Sequence, residues 1–187
     1  MKAPSKLDHR TVLNRVLNLQ RFSLANYLRY ARPWAGEADH VLRTVVFGIA
    51  EAQSQNANRV GQLLIERHAS VKPGTFPEGF TGLNDLSIRY VAPGVVDDLN
   101  RILNDLRACV DLLRNDGTAQ ELVQTIILDE ERHAKILCEE LQHVRQVESA
   151  SRQTTGTPER ETRPVPAGAT QLSSRRDRDV LDTTIPA

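Results

Sequence analysis

A chain of 187 residues, 40% hydrophobic and only 4% aromatic, is long enough to bury one core and short for more than one domain. Its 24 basic and 24 acidic residues cancel, so no global field favours nucleic acid or an anionic membrane surface. Cys109 and Cys138 show no close-set metal spacing and read as reduced thiols of a cytoplasmic protein, with a disulfide as the alternative; Met1 to Arg10 lacks an apolar stretch of signal-peptide length, and no run of about 18 apolar residues offers a membrane span.

Four long helical patterns follow one another. The first is expected over residues 8–32, with Leu13, Leu17, Leu24, Tyr27 and Ala31 on one face and Pro33 as its stop. The second, over 37–69, carries Leu42, Val46, Ile49, Val60 and Leu63. Between Ser70 and Gly94 the glycines and prolines (Pro73, Gly74, Pro77, Gly79, Gly82, Pro93, Gly94) predict a long connection, with a short turn of helix near Asp85–Tyr90. The third helix, over 95–115, repeats Val95, Leu99, Leu103, Leu106, Val110 and Leu113. Gly117 ends it, and Thr118 with Glu121 predicts a capping box for a fourth helix over 118–149. Short, long, short connections predict two antiparallel helix pairs joined by one crossover between helices two and three, an all-α bundle of ferritin-like layout over 1–150. Residues 151–187, rich in Ser, Thr, Pro and Arg, hold too little apolar surface to offset chain entropy; a disordered C-terminal tail is expected, open to contact with a protein partner.

The fourth helix contains the most informative positions. Its apolar stripe reads Leu122, Ile126, Glu130, His133, Leu137, Leu141, Val144, so a carboxylate and an imidazole at i, i+3 both face the core. A buried carboxylate needs a partner or a metal. A Glu-x-x-His pair aimed inward is part of the ligand set of a carboxylate-bridged two-metal centre, which also needs a Glu from each of two helices and a second Glu-x-x-His.

The segment Leu13-Asn14-Arg15-Val16-Leu17 through Gln20 to Tyr27 and Ala31-Arg32 resembles the first helix of bacterioferritins and related ferritin-like proteins. Asp129-Glu130-Glu131-Arg132-His133 resembles their last ligand-bearing helix. The resemblance covers residues 8–148 in layout, and it implies two irons bound between helices, oxidation of Fe(II), and assembly into a homo-oligomer. In this register the ligand positions fall on Gln20, Gln53, Asn56 and Leu99, with only Glu130 and His133 matching, and Tyr27 corresponds to a tyrosine near the metals. Bacterioferritins hold haem between methionines; the sole methionine here is Met1, which excludes methionine-ligated haem.

Amides bind iron feebly, which leaves three arrangements open. Gln20, Gln53, Asn56, Glu130, His133 and Tyr27 can form a metal-free hydrogen-bonded layer, since amides both donate to a carboxylate and accept from an imidazolium. Glu130 and His133 can hold one iron or another divalent ion per chain, with help from water or a neighbouring chain. Or the two-iron ferroxidase is intact. The functions that follow are iron storage or oxidative-stress protection with an impaired ferroxidase centre, or a non-catalytic helical scaffold. Asp97, Asp98 and Asn100 flank Leu99 on other faces and are not expected at the centre.

Overall fold

The computed structural model describes residues 8–154. Five α-helices account for most of them: α1 (His9–Arg21), α2 (Leu24–Ala31), α3 (His40–Glu66), α4 (Ile88–Leu112) and α5 (Gly117–Thr154). Short 3-10 turns occupy Glu37–Asp39 and Glu78–Leu83. The described residues contain no strand, only an isolated bridge between Trp34 and Ser87. The fold is all-α, as the periodicities require. The expected fourth helix, α5, runs past its expected end at 149 and takes in residues 151–154 of the expected tail, and the rest of that tail, 155–187, lies outside the described residues.

Two apolar clusters share the interior. One joins Val12, Leu13 and Leu17 of α1, Val60 and Leu64 of α3, Ile102, Leu106 and Cys109 of α4, and Ala119, Val123 and Ile126 of α5. The other joins Leu24 and Leu28 of α2, Leu42, Val46 and Ile49 of α3, Val91, Val95 and Leu99 of α4, and Leu137 and Leu141 of α5. Each long helix therefore contributes one half to each cluster. The residues between the halves, near 20–23, 53–56 and 130–133, fall in the gap.

Three local expectations are corrected. The helix expected over 8–32 is two helices, because Ser23 adopts an extended conformation and its Oγ caps α2 by accepting from the Asn26 N–H at 3.1 Å. The third helix starts at Ile88 rather than Val95, capped by Ser87, and runs through Pro93. That proline removes only the N–H that would reach back to Arg89, near the helix start, while Ile88, Val91 and Ala92 extend the buried stripe. Finally, α5 is capped by Asp116, whose Oδ1 accepts from the Ala119 N–H at 3.2 Å, so Thr118 lies inside the helix instead of starting a capping box.

Asp116 also ties three helix ends together. Both guanidinium nitrogens of Arg67 donate to it, one of them at 2.7 Å, and His9 Nδ1 lies 3.4 Å away. The Arg67 hydrogen bonds hold its carboxyl below the ordinary value of 3.8, against the opposing effect of burial. At the opposite end Arg89 bridges Asp39 and Glu148, pinning α4 to the start of α3 and the end of α5. In the crossover, Gly74 passes so close to α1 that an added Cβ would meet Phe22 Cε2 at 2.5 Å and Asn18 Oδ1 at 2.7 Å.

Candidate functional site

The gap between the two apolar clusters is polar and buried. Glu130, Gln53, Gln20 and Ser23 are fully buried, and Asn56 nearly so. Gln53 stands at the centre: its Nε2 donates to Glu130 Oε1 at 3.0 Å and Oε2 at 3.2 Å, and its Oε1 accepts from the Ser23 hydroxyl at 2.5 Å. His133 Nδ1 lies 3.5 Å from Glu130 Oε2, within ion-pair range but with no hydrogen bond. These contacts join α3, α5 and the junction between α1 and α2 in one network.

The network continues through residues that sequence reasoning did not single out. The Asn26 amide donates to the Gln20 carbonyl at 2.8 Å and to Ser23 Oγ at 3.2 Å, and the Ser54 hydroxyl donates to Asn26 Oδ1 at 3.0 Å. Asp98, expected on another face of its helix, is buried, a correction to that expectation. Its Oδ2 accepts from the Leu24 N–H at 2.8 Å, satisfying a donor left over where the helix is interrupted, and its Oδ1 accepts from Arg101 at 2.7 Å. The signal was present: Val95, Asp98, Ile102 and Leu106 step by 3, 4 and 4, as much a buried stripe as Val95, Leu99, Leu103 and Leu106.

The remaining expected positions are less well connected. Both side-chain atoms of Gln20 and the Nδ2 of Asn56 make no hydrogen bond to the protein, while Asn56 Oδ1 accepts from Arg59 at 3.1 Å. Leu99 belongs wholly to the apolar cluster of α2 and α4. Tyr27 is not part of the layer. Its hydroxyl donates to Asn84 at 2.7 Å and its ring packs against Phe76 and Phe80, so it fastens the crossover to α2. Glu51 is exposed and pairs with Arg29, in keeping with its place off the stripe.

The donor set can be weighed against the metals the resemblance implies. A two-iron centre of this kind takes four carboxylates and two imidazoles. The layer brings together one carboxylate and one imidazole, and the carboxylate is already bonded through both oxygens to an amide. Asp98, the other buried acid nearby, is committed to Leu24 and Arg101. Among the described residues no group of three or more His, Cys, Asp or Glu side chains is arranged to hold a metal ion. The residues do not fit a pair of irons. No family model and no curated protein matches the sequence. Nor is any helix among the described residues long and apolar enough to cross a membrane.

Proposed function

We propose that the chain is a ferritin-like four-helix bundle whose ferroxidase chemistry is impaired or lost, and that it serves as a homo-oligomeric helical scaffold. The observation that carries this reading is the double use of Gln53, which donates to both oxygens of Glu130 and accepts from Ser23. Where ferroxidase chemistry needs charged ligands, an amide satisfies the carboxylate instead. The alternation of the helices between the two apolar clusters supports the ferritin-like layout, since α1 with α2 and α5 run one way and α3 and α4 the other.

The second reading is one divalent ion on Glu130 and His133, favoured by the absence of any hydrogen bond at His133 Nδ1. Two protein donors make a weak site. Aerobic addition of Fe(II) to the full chain, followed by stopped-flow absorbance, tests both. The scaffold predicts a slow trace unchanged in Glu130→Ala and His133→Ala, and the single-ion site predicts anaerobic binding of at most one metal per chain that both variants abolish. A rapid phase at two irons per chain that disappears in Glu130→Ala would restore the ferroxidase.

A further inference from the structure

On the outer face of α1, away from the polar layer, the crossover borders an open cavity of about 430 Å³. Its walls come from three parts of the chain: Arg15 and Asn18 of α1 with Phe22 just past its end, Lys72 and Thr75 of the crossover, and Arg101 of α4. That volume falls within the range of small-molecule sites.

Charge in the cavity is unevenly matched. Asp105 accepts from Arg15 at 2.5 Å and from Arg101 at 3.4 Å, and Arg101 also donates to Asp98 at 2.7 Å. Two carboxylates thus serve two guanidinium groups and hold them in place. Lys72 is fixed through its backbone, whose N–H donates to Asn14 Oδ1 at 2.6 Å, and its ammonium has no ion-pair partner among the described residues. One positive charge is left over, on a positioned stretch of chain beside two ordered arginines.

One further feature points to what would sit there. Phe22, set edge-on against Phe76 with centroids 5.2 Å apart, supplies an aromatic wall held in one orientation. Gly74 allows the arrangement, because any side chain there would push the crossover away from Asn18 and Phe22. A bare inorganic anion would use the cations and leave the ring idle.

We propose that this cavity binds a small organic anion: an acidic head toward Lys72 and Arg101, and a planar or apolar body against Phe22. The site is separate from the polar layer and would give the scaffold a ligand-binding role that needs no metal. 4-Hydroxybenzoate carries both elements and serves as the probe, with 4-hydroxybenzyl alcohol as its neutral counterpart and inorganic phosphate as the bare anion. Titrated into the isotope-labelled full chain, 4-hydroxybenzoate is expected to shift the amide signals of Asn18, Lys72 and Gly74 saturably, with a dissociation constant of about 1 mM or below. The neutral alcohol and the Lys72→Ala variant should each weaken binding at least about tenfold, the loss of one charge-assisted hydrogen bond. Because Lys72 is exposed, that variant keeps the fold, which its unshifted spectrum would verify. Absence of saturable shifts, equal binding of the alcohol, indifference to Lys72→Ala, or phosphate binding as tightly at the same signals would each overturn the proposal.

Discussion

Replacing Gln53 by leucine isolates the central amide of the polar layer. The variant removes the only hydrogen-bond donor among the described residues to a fully buried Glu130 carboxylate and the acceptor of the buried Ser23 hydroxyl, while leaving a side chain of similar size. The first loss costs about 1.5–3 kcal/mol, as for a hydrogen bond to a charged group, and the orphaned hydroxyl adds about 1–2 kcal/mol. Gln53→Leu should therefore destabilise by about 2.5–5 kcal/mol, a fall in Tm of about 5–20 °C for a domain of this size. Glu130→Leu alone should cost less, about 1–3 kcal/mol, because it removes a buried carboxylate instead of stranding one and leaves only a neutral amide unpaired. In the double variant the costs should not add. With both partners apolar, the coupling energy from a double-mutant cycle in urea should recover about 2 kcal/mol. Additive losses, or a Gln53→Leu penalty below about 1 kcal/mol, would refute the view that this amide and this carboxylate sustain one another.

Asp116 gives a prediction in pH. Its folded carboxyl lies below the ordinary value of 3.8, so its contribution is present in full above that value and is lost as pH falls through the depressed one. Asp116→Asn keeps a capping side chain but not the charge, and should lower the urea midpoint at neutral pH by an amount that shrinks as pH is taken below 3.8; a difference constant across that range would contradict the Arg67 pairing. Gly74→Ala should destabilise by about 1–2 kcal/mol, because its Cβ would sit 2.5 Å from Phe22 Cε2 and force the crossover outward; an unchanged melting curve would mean that the loop moves freely. Burial pushes the Cys109 thiol up from its ordinary value, so a thiol reagent should modify half-buried Cys138 in the native protein and reach Cys109 only on unfolding. Two equally fast thiols, resolved by mass spectrometry, would count against the packing around Cys109.

The sequence made the helices and the central layer legible because burial leaves a periodic trace. Glu130 and His133 stand out for interrupting an apolar stripe, and Gln53 and Asn56 interrupt the matching stripe of α3 in the same way. The break after Phe22 was harder to read. Leu17, Leu24 and Tyr27 keep helical spacing across it, and only Ser23 hints that a new helix is being capped. Pro93 misled in the other direction, since its usual meaning as a helix stop yields near the start of a helix that has a Ser cap and a buried stripe. Asp98 escaped because an acid on a stripe is ordinarily assigned to solvent, and its partner, the Leu24 N–H, exists only because the first helix is interrupted. Tyr27 was placed by analogy with a metal site and instead faces Asn84 of the crossover, a contact between residues far apart in sequence that no local pattern encodes.

The interruption and the amide depend on each other, and together they account for the hydrogen bonds at the centre of the layer. Once the chain breaks at Ser23, the hydroxyl that caps α2 turns toward α3 and needs an acceptor, while Glu130, coming from α5 into the same gap, needs a donor. A carboxylate at position 53 would serve the hydroxyl and repel Glu130; a lysine would serve Glu130 and leave the hydroxyl without an acceptor. Glutamine meets both needs at once. Asp98 meets the remaining one, accepting from the Leu24 N–H, and in doing so is withdrawn from any part it could play beside Glu130. The charge that two metals would require is thus absent at one position and spent at another, and both follow from the break that divides the first helix.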